Sequence, residues 1–324
     1  FYNKTDNNML LNIPGGYEYG YTSIYQNGLK VRNRGIDVSI QANVLPSSGA
    51  LQWIPSANLN YNQNTLLALP GGVQEMVVGS GINARMLKVG RSIDQFWLLE
   101  NDGIYNRERD IPVDPKTQRR MNYKSTPMSA GDPVWKDVNG DYSITDDDKV
   151  MKGHYLPQVS GGFGSDLTYH HFTFSFSFYF ALGKQILNQE MANRLDFVNH
   201  EGQISMDAIK EITFWQKVGD YNRYPLYDPW SKVVPYRADQ DLFLENGSFL
   251  KLRNISLQYD LTKLRSWSKR SPIHGLTVYG TASNLFTITP YTAGDPELIY
   301  FNGFDTGYGL TIPKTYTLGV KMDF

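Results

Sequence analysis

A chain of 324 residues is long enough for one large domain or two ordinary ones. Its net charge of −1 and pI near 6.6 give no global attraction to nucleic acid or to an anionic membrane. The absence of cysteine excludes disulfide staples and thiolate zinc sites, without naming a compartment. A local basic cluster, Lys263, Arg265, Lys269 and Arg270, reads as a solvated turn. The aromatic content is high: 22 Tyr, 16 Phe and 6 Trp. No apolar run approaches the roughly 20 residues that a membrane helix needs. The chain opens on Phe1 without a charged leader and is expected to be a piece of something longer.

In chain order, strands are expected near 1–10, 28–45, 51–63, 157–169, 171–182, 248–260, 275–288 and 313–324. Each rests on alternation with a period of two. In the second, Ile36, Val38, Ile40, Ala42 and Val44 oppose Asp37, Ser39, Gln41 and Asn43. The third sets Leu51, Trp53, Ala57, Leu59 and Tyr61 against Gln52, Ser56, Asn58 and Asn60. The run FTFSFSFYF places Phe172, Phe174, Phe176, Phe178 and Phe180 on one face. The last strand lines up Tyr316, Leu318, Val320, Met322 and Phe324 against Thr317, Gly319, Lys321 and Asp323.

Such alternation fits a soluble sandwich, whose apolar face packs on a second sheet, or a membrane barrel, whose apolar face meets lipid. Connection lengths favour the barrel. Long segments (11–27, 64–156, 183–247, 289–312) alternate with short ones (46–50, around Tyr169–His171, and 261–274). Outer-membrane barrels show this asymmetry, with long loops outside and tight turns in the periplasm. Tyr2, Tyr61, Tyr169 and Tyr259 then stand as aromatic girdles. The expected fold is an all-β, transmembrane antiparallel barrel. Two loops this long are large for a barrel of about eight strands, which points to part of a wider one.

Residues 137–148, DVNGDYSITDDD, fit a calcium-loop template. Asp137, Asn139 and Asp141 take positions 1, 3 and 5, Ser143 gives a carbonyl, Thr145 stands at position 9 and Asp148 at position 12. Tyr142 departs from the template's glycine, and Pro133 and the following strand leave no helix pair to open and close. The expectation is a static site pinning the long loop, against an Asx-rich turn facing water. QISMDAIKEITFWQ (203–216), with Ile204, Ile209, Ile212 and Trp215, reads mainly as loop core. In YNRYPLYDPW, Tyr227 and Trp230 are the candidates for exposed contacts. Enzyme signals are poor. The five histidines are scattered apart from His170–His171, Gln185 spoils a Walker motif at Gly183-Lys184, and GGFGSD (161–166) lies within a strand. No catalysis is expected.

Several stretches carry a family likeness: FYNKTDNNMLL, QNGLKVRNRGIDVSI, the segment 131–169 beginning GDPVWKDVNGD, DLFLENGSFLKLRNISLQYDL, ASNLFTITPYTAGDPE and the ending TYTLGVKMDF. Together they resemble the C-terminal part of a SusC/RagA-type TonB-dependent outer-membrane transporter of Bacteroidetes. The resemblance implies a 22-stranded barrel, of which residues 1–324 supply about the last eight strands. It further implies a plug and a TonB-contacting segment outside this chain, a SusD-like lipoprotein lid, and uptake of an oligosaccharide or oligopeptide across the outer membrane. Phe324, with Met322 and Val320, resembles the terminal signal read by the barrel-assembly machinery. Two other readings stay open here: a soluble secreted glycan-binding module with a structural calcium loop, and a small self-contained barrel acting as adhesin or receptor.

Overall fold

The computed structural model describes residues 1–14, 20, 22–45, 50–200, 213–262, 274–307, 309 and 311–324. Eight long strands form its backbone: β1 (Tyr2–Pro14), β2 (Ser23–Gln41), β3 (Leu51–Ala68), β4 (Val159–Tyr169), β5 (Phe172–Leu182), β6 (Phe249–Asp260), β7 (Gly275–Ser283) and β8 (Thr315–Asp323). Each pairs antiparallel with its neighbours in chain order, giving one continuous meander from β1 to β8. The two edge strands do not pair with each other, so the sheet is an open wall and not a closed eight-stranded barrel. Among the described residues no helix is long and apolar enough to cross a membrane; strands are the only spanning elements at issue.

The register turns the sequence alternation into two chemically distinct faces. Ile36 stands opposite Tyr61, Val38 opposite Leu59, and Leu59 in turn opposite Gly161. Across the middle of the wall Phe163 meets Phe178, and Phe174 meets Leu257. Near the edge Val278 meets Val320. This face carries no covering layer: Ile40 is 62% and Leu257 52% exposed. On the reverse face Asn60 donates to the Asp37 carboxylate, and Ser175 lies opposite Ser256. An apolar outside and a polar inside are what a barrel wall between lipid and a wet lumen requires.

Two strand junctions differ from the alternation pattern. The β1–β2 ladder continues to Pro14↔Ser23 through a bulge between Asp6 and Leu10, so the first loop is 15–22 and not 11–27. It is shorter than the 261–274 connection at the opposite end, and the strict long–short alternation fails there. The cause is that a backbone ladder needs no apolar side chains, and Asn7, Asn8 and Asn12 hide the strand from a hydrophobicity reading. Near the C-terminus the expected 275–288 strand breaks after Ser283. Asn284 takes a left-handed φ of 56°, and Thr287–Ile288 resumes pairing with Leu250–Lys251 of β6.

Aromatic residues mark both ends of the wall. At the tight-turn end, Tyr169 packs on His170 (4.4 Å between rings) and Phe172 on Tyr259 (4.5 Å). Tyr61 stands outward near the other end. Tyr2 does not join them. Its hydroxyl donates to Asn62 Oδ1 (2.9 Å) on the polar face, and its ring covers Gly35, where a Cβ would sit 2.4 Å from it. Tyr279 covers Gly319 in the same way. These rings fill the lumen side of the wall instead of a lipid girdle. In GGFGSD the crowding comes from within the sheet, since a Cβ on Gly164 would lie 2.6 Å from the Phe176 carbonyl oxygen.

The wall has almost no interior. Buried apolar clusters gather in and beneath the long connections: Phe96, Leu98, Leu187, Leu195, Tyr236, Phe243 and Phe304 form one, and Tyr105, Met121, Tyr123, Met128, Trp135 and Ile144 belong to a second. A third, with Val31, Leu66 and Leu87, ties the tops of β2 and β3 to the first long loop. The segment 201–212, holding Ile204, Ile209 and Ile212, and the cluster Lys263, Arg265, Lys269 and Arg270 lie outside the described residues.

Candidate functional site: a loop cap over one end of the wall

The described residues of segments 69–158, 183–248 and 284–314 emerge at the same end of the wall and fuse into one cap. Phe96–Leu98 pairs with Val150–Lys152, and Gln185–Asn188 pairs with both Leu244–Asn246 and Phe304–Asp305. Between the first two segments runs a buried charge network. Lys149 Nζ lies 2.7 Å from Asp239 Oδ2, both side chains nearly sealed from solvent. Arg237 reaches Asp239, Asp146 and the Tyr123 hydroxyl. Burial pushes the Asp239 carboxyl up, but Arg237 and Lys149 outweigh it and hold it below its usual range. Gln240 is fully buried and spends all its capacity locally. Its Oε1 accepts from Trp135 Nε1 (2.8 Å) and Asn101 Nδ2 (3.1 Å), and its Nε2 donates to the Pro235 and Arg237 carbonyls.

The third segment is pinned to the wall itself. Lys251 on β6, wholly buried, holds Asp295 and Glu297 (2.7 Å to the latter), and Arg253 pairs with Glu297. Burial raises the Glu297 carboxyl, and Arg253 with Lys251 more than reverse that. Lys184 donates to the Pro296 carbonyl at 2.8 Å, and burial lowers its pKa. Elsewhere in the cap, burial lifts Asp132 to about 6, reinforced by Glu108 and Asp228.

Residues 137–148 close as a compact loop. Asp137 accepts from the Gly140 and Tyr142 amides, Asn139 from Asp141, and Asp141 from Ser143. Asp148 is fully buried, its two oxygens taking the Val138 (2.9 Å) and Thr145 (2.8 Å) amides. Thr145 caps the short helical turn that follows. Tyr142 supplies a left-handed φ of 62°, the conformation for which the template uses glycine. Ile144 is buried, and Ser143–Ile144 pairs with Asn122–Tyr123. Among the described residues no three His, Cys, Asp or Glu are grouped as ligands for a metal ion.

Of the two aromatic candidates, Trp230 is 85% exposed. Tyr227 is not an open contact. Its ring stacks on Phe197 (4.7 Å, 17°), and its hydroxyl accepts from the Val198 amide (3.1 Å), because the loop needs the ring to close its own core. Trp215 is likewise buried, against Gly131. Tyr221 (95% exposed) and Phe301 (89%) are open aromatics that period-based reading passed over. Only their turn-rich surroundings marked them. Val320 and Met322 share the outward face of edge strand β8, Phe324 follows its last paired residue, and all three are exposed.

An open antiparallel wall, apolar outside and polar inside, with a packed cap at one end, defines part of a transmembrane β-barrel. No protein-family model matches the chain. It is 26% identical over 92% of its length to TonB-dependent receptor P39 of Formosa agariphila, covering 30% of that protein. It is 25% identical over its full length to TonB-dependent receptor SusC of Bacteroides thetaiotaomicron, covering 29% of it. Among solved structures it superposes on the RagAB peptide transporter with TM-score 0.71 and 22% identity, and on the open-open state of the RagAB peptide importer with TM-score 0.73 and 21% identity. In each case it covers 99% of this chain and 32% of the other. In sequence the chain resembles a portion of TonB-dependent receptors, SusC among them, and in fold a portion of the RagAB transporter, and it spans about a third of the length of the relatives it matches.

Proposed function

We propose that the receptor containing this chain imports an oligomeric nutrient, a glycan or a peptide, across the outer membrane of a Gram-negative cell. The observation that carries this is the fusion of three long connections into one rigid cap above the polar face of an open barrel wall. A cap held by buried ion pairs presents Trp230, Tyr221 and Phe301 at fixed positions, suited to stacking on sugar rings or peptide side chains. A SusD-like lipoprotein lid closes over the cap, and TonB drives release through a plug supplied by the rest of the receptor. The work is binding and gating, without covalent chemistry. The exposed apolar belt argues against the soluble glycan-binding module, and the open sheet against the small self-contained barrel. Cells lacking the gene, offered labelled oligosaccharide and oligopeptide mixtures, should lose import of one class. Undiminished import of both would refute the proposal.

The loop at 137–148 supports a second, structural proposal: one Ca2+ held by Asp137, Asn139, Asp141, Thr145, Asp148 and the Ser143 carbonyl. The hydrogen bonds that turn each acidic side chain along the loop, and the left-handed turns at Gly140 and Tyr142, are its support. Replacing Asp137 and Asp141 by Ala should speed proteolysis within 131–157, and chelator should do the same to the unaltered protein. Equal cleavage with and without chelator would show a loop closed by its own hydrogen bonds alone. At the far end of the wall, Val320, Met322 and Phe324 are proposed as the residues read by the barrel-assembly machinery.

A further inference from the structure

Above the apolar belt the outward face of β2 changes character. Ile40, Val38 and Ile36 give way, at the next outward positions toward the cap, to Arg34 opposite Gln63 and Arg32 opposite Thr65. Lys30 follows, past a register shift. The matching outward positions on β1 are Asn3 and Thr5. No carboxylate stands on these rows, whereas the inward positions of the same strands carry Asp6 and Asp37. Among the described residues, Lys30, Arg32, Arg34 and Arg91 form no ion pair, and Arg32 Nε is buried without a hydrogen-bond partner. A chain of net charge −1 thus leaves several cations unpaired at one level of one face.

A cavity of about 230 Å³ opens beside them. It lies where β4 parts from the top of β3, after the last bond from the Asn62 amide to the Gln158 carbonyl. Gln63, Thr65, Arg91, His154 and Gln158 line it. Asp94 also lines it, but that carboxylate is taken up by Ser92, Asn64 and His154 (3.1 Å). Arg91 is exposed and fixed by its backbone, whose carbonyl accepts from the Leu66 amide (2.8 Å).

We propose that Arg32, Arg34 and Arg91, with this cavity, bind the phosphate-bearing headgroup of a membrane lipid. Guanidinium groups match phosphate oxygens in paired hydrogen bonds, and amide and hydroxyl side chains in the cavity complete the shell. Directly beneath, Ile36, Val38, Ile40, Leu59 and Tyr61 offer the lipid's acyl chains an apolar track. Cation above and hydrocarbon below, in continuous register, is the complement of an anionic lipid and not of a free anion. Unpaired arginines at an interface gain this attraction where carboxylate partners would cancel it. The proposal rests on reading the wall as membrane-spanning.

The test uses the intact receptor, with bound lipid counted by native mass spectrometry after exposure to phosphatidic acid or phosphatidylcholine micelles. Wild type should retain phosphatidic acid selectively. A basic residue near a charged surface is worth roughly fivefold in affinity, so R32Q/R34Q/R91Q should weaken retention on the order of 100-fold. Lys88→Gln, an exposed cation already paired with Glu75, should leave it unchanged. R32K/R34K keeps the charge and should lose only part of the binding, which separates a headgroup site from a folding defect. Equal retention of both lipids, or no loss in the triple variant, would overturn the proposal. So would displacement of the lipid by millimolar inorganic phosphate. A receptor that enters no bilayer at all would refute the wall reading itself, a different result from insertion without lipid preference.

Discussion

The wall and the cap come from one chain but are stabilised by opposite means. The wall is held by backbone ladders and leaves its largest apolar side chains uncovered, with Phe163 and Phe178 stacked (5.0 Å, 15°) on an outside face. The cap buries its apolar residues in clusters and seals ion pairs among them, as water-facing folds do. The wall takes its apolar stabilisation from an external solvent, lipid, and so reads simply as period two. The cap must supply its own interior from three distant segments, so its logic is long-range.

The largest expected effect falls on the cap. Asp239→Ala leaves the buried cations Lys149 and Arg237 with only the half-exposed Asp146 as a carboxylate partner, at a cost of about 3–5 kcal/mol. Hydrogen exchange should rise across 96–101, 146–152 and 235–243 while β4 and β5 stay protected. Loss of protection in the wall at the same time would mean that the two regions are not separate folding units. Asp239→Asn, which keeps a hydrogen-bond acceptor, should cost less.

A smaller effect tests the faces of the wall. Leu257→Arg puts a charge toward lipid and should cost about 2–4 kcal/mol if the residue lies near mid-bilayer. Thr281→Arg, on the polar face of the adjacent strand, should change unfolding in lipid by well under that. Equal penalties at the two positions would break the inside–outside assignment that the register gives.

The wall was legible because each strand repeats one local rule, and Ile36–Val44 or Tyr316–Phe324 states it within nine residues. Its errors fell where polar residues continue a ladder, as at Asn12, or where a ring turns inward, as with Tyr2 over Gly35. Neither leaves a periodic signal. The cap was legible only in local motifs. DVNGDYSITDDD announced a tight loop, and its turn forms despite Tyr142. Nothing local marks Lys149 and Asp239, ninety residues apart, as partners. Tyr227 and Trp230 sit three residues apart in one aromatic run, yet the first closes a core and the second faces solvent.

The smallest expected effect lies at the seam between the two regions, in the pair Asp94–His154. Burial raises the Asp94 carboxyl, but His154, Ser92 and Asn64 together bring it below its usual value of 3.8. The hydrogen bond with Asp94 raises His154 above its usual 6.5, against a smaller opposing effect of burial. The raised histidine contributes stability that is complete below 6.5 and is lost as pH climbs through its folded value. The depressed carboxylate contributes stability that is present above 3.8 and is lost as pH falls through its folded value. The seam is therefore tightest between about pH 4 and 6.5, by an amount of about 1 kcal/mol or less. Protection of the Tyr155 amide, which donates to the Asp94 carbonyl at 3.0 Å, should fall as pH rises above 6.5, after correction for intrinsic exchange. In His154→Gln that fall should vanish. The same fall in the variant would place the pH response in another part of the cap and leave the seam indifferent to pH.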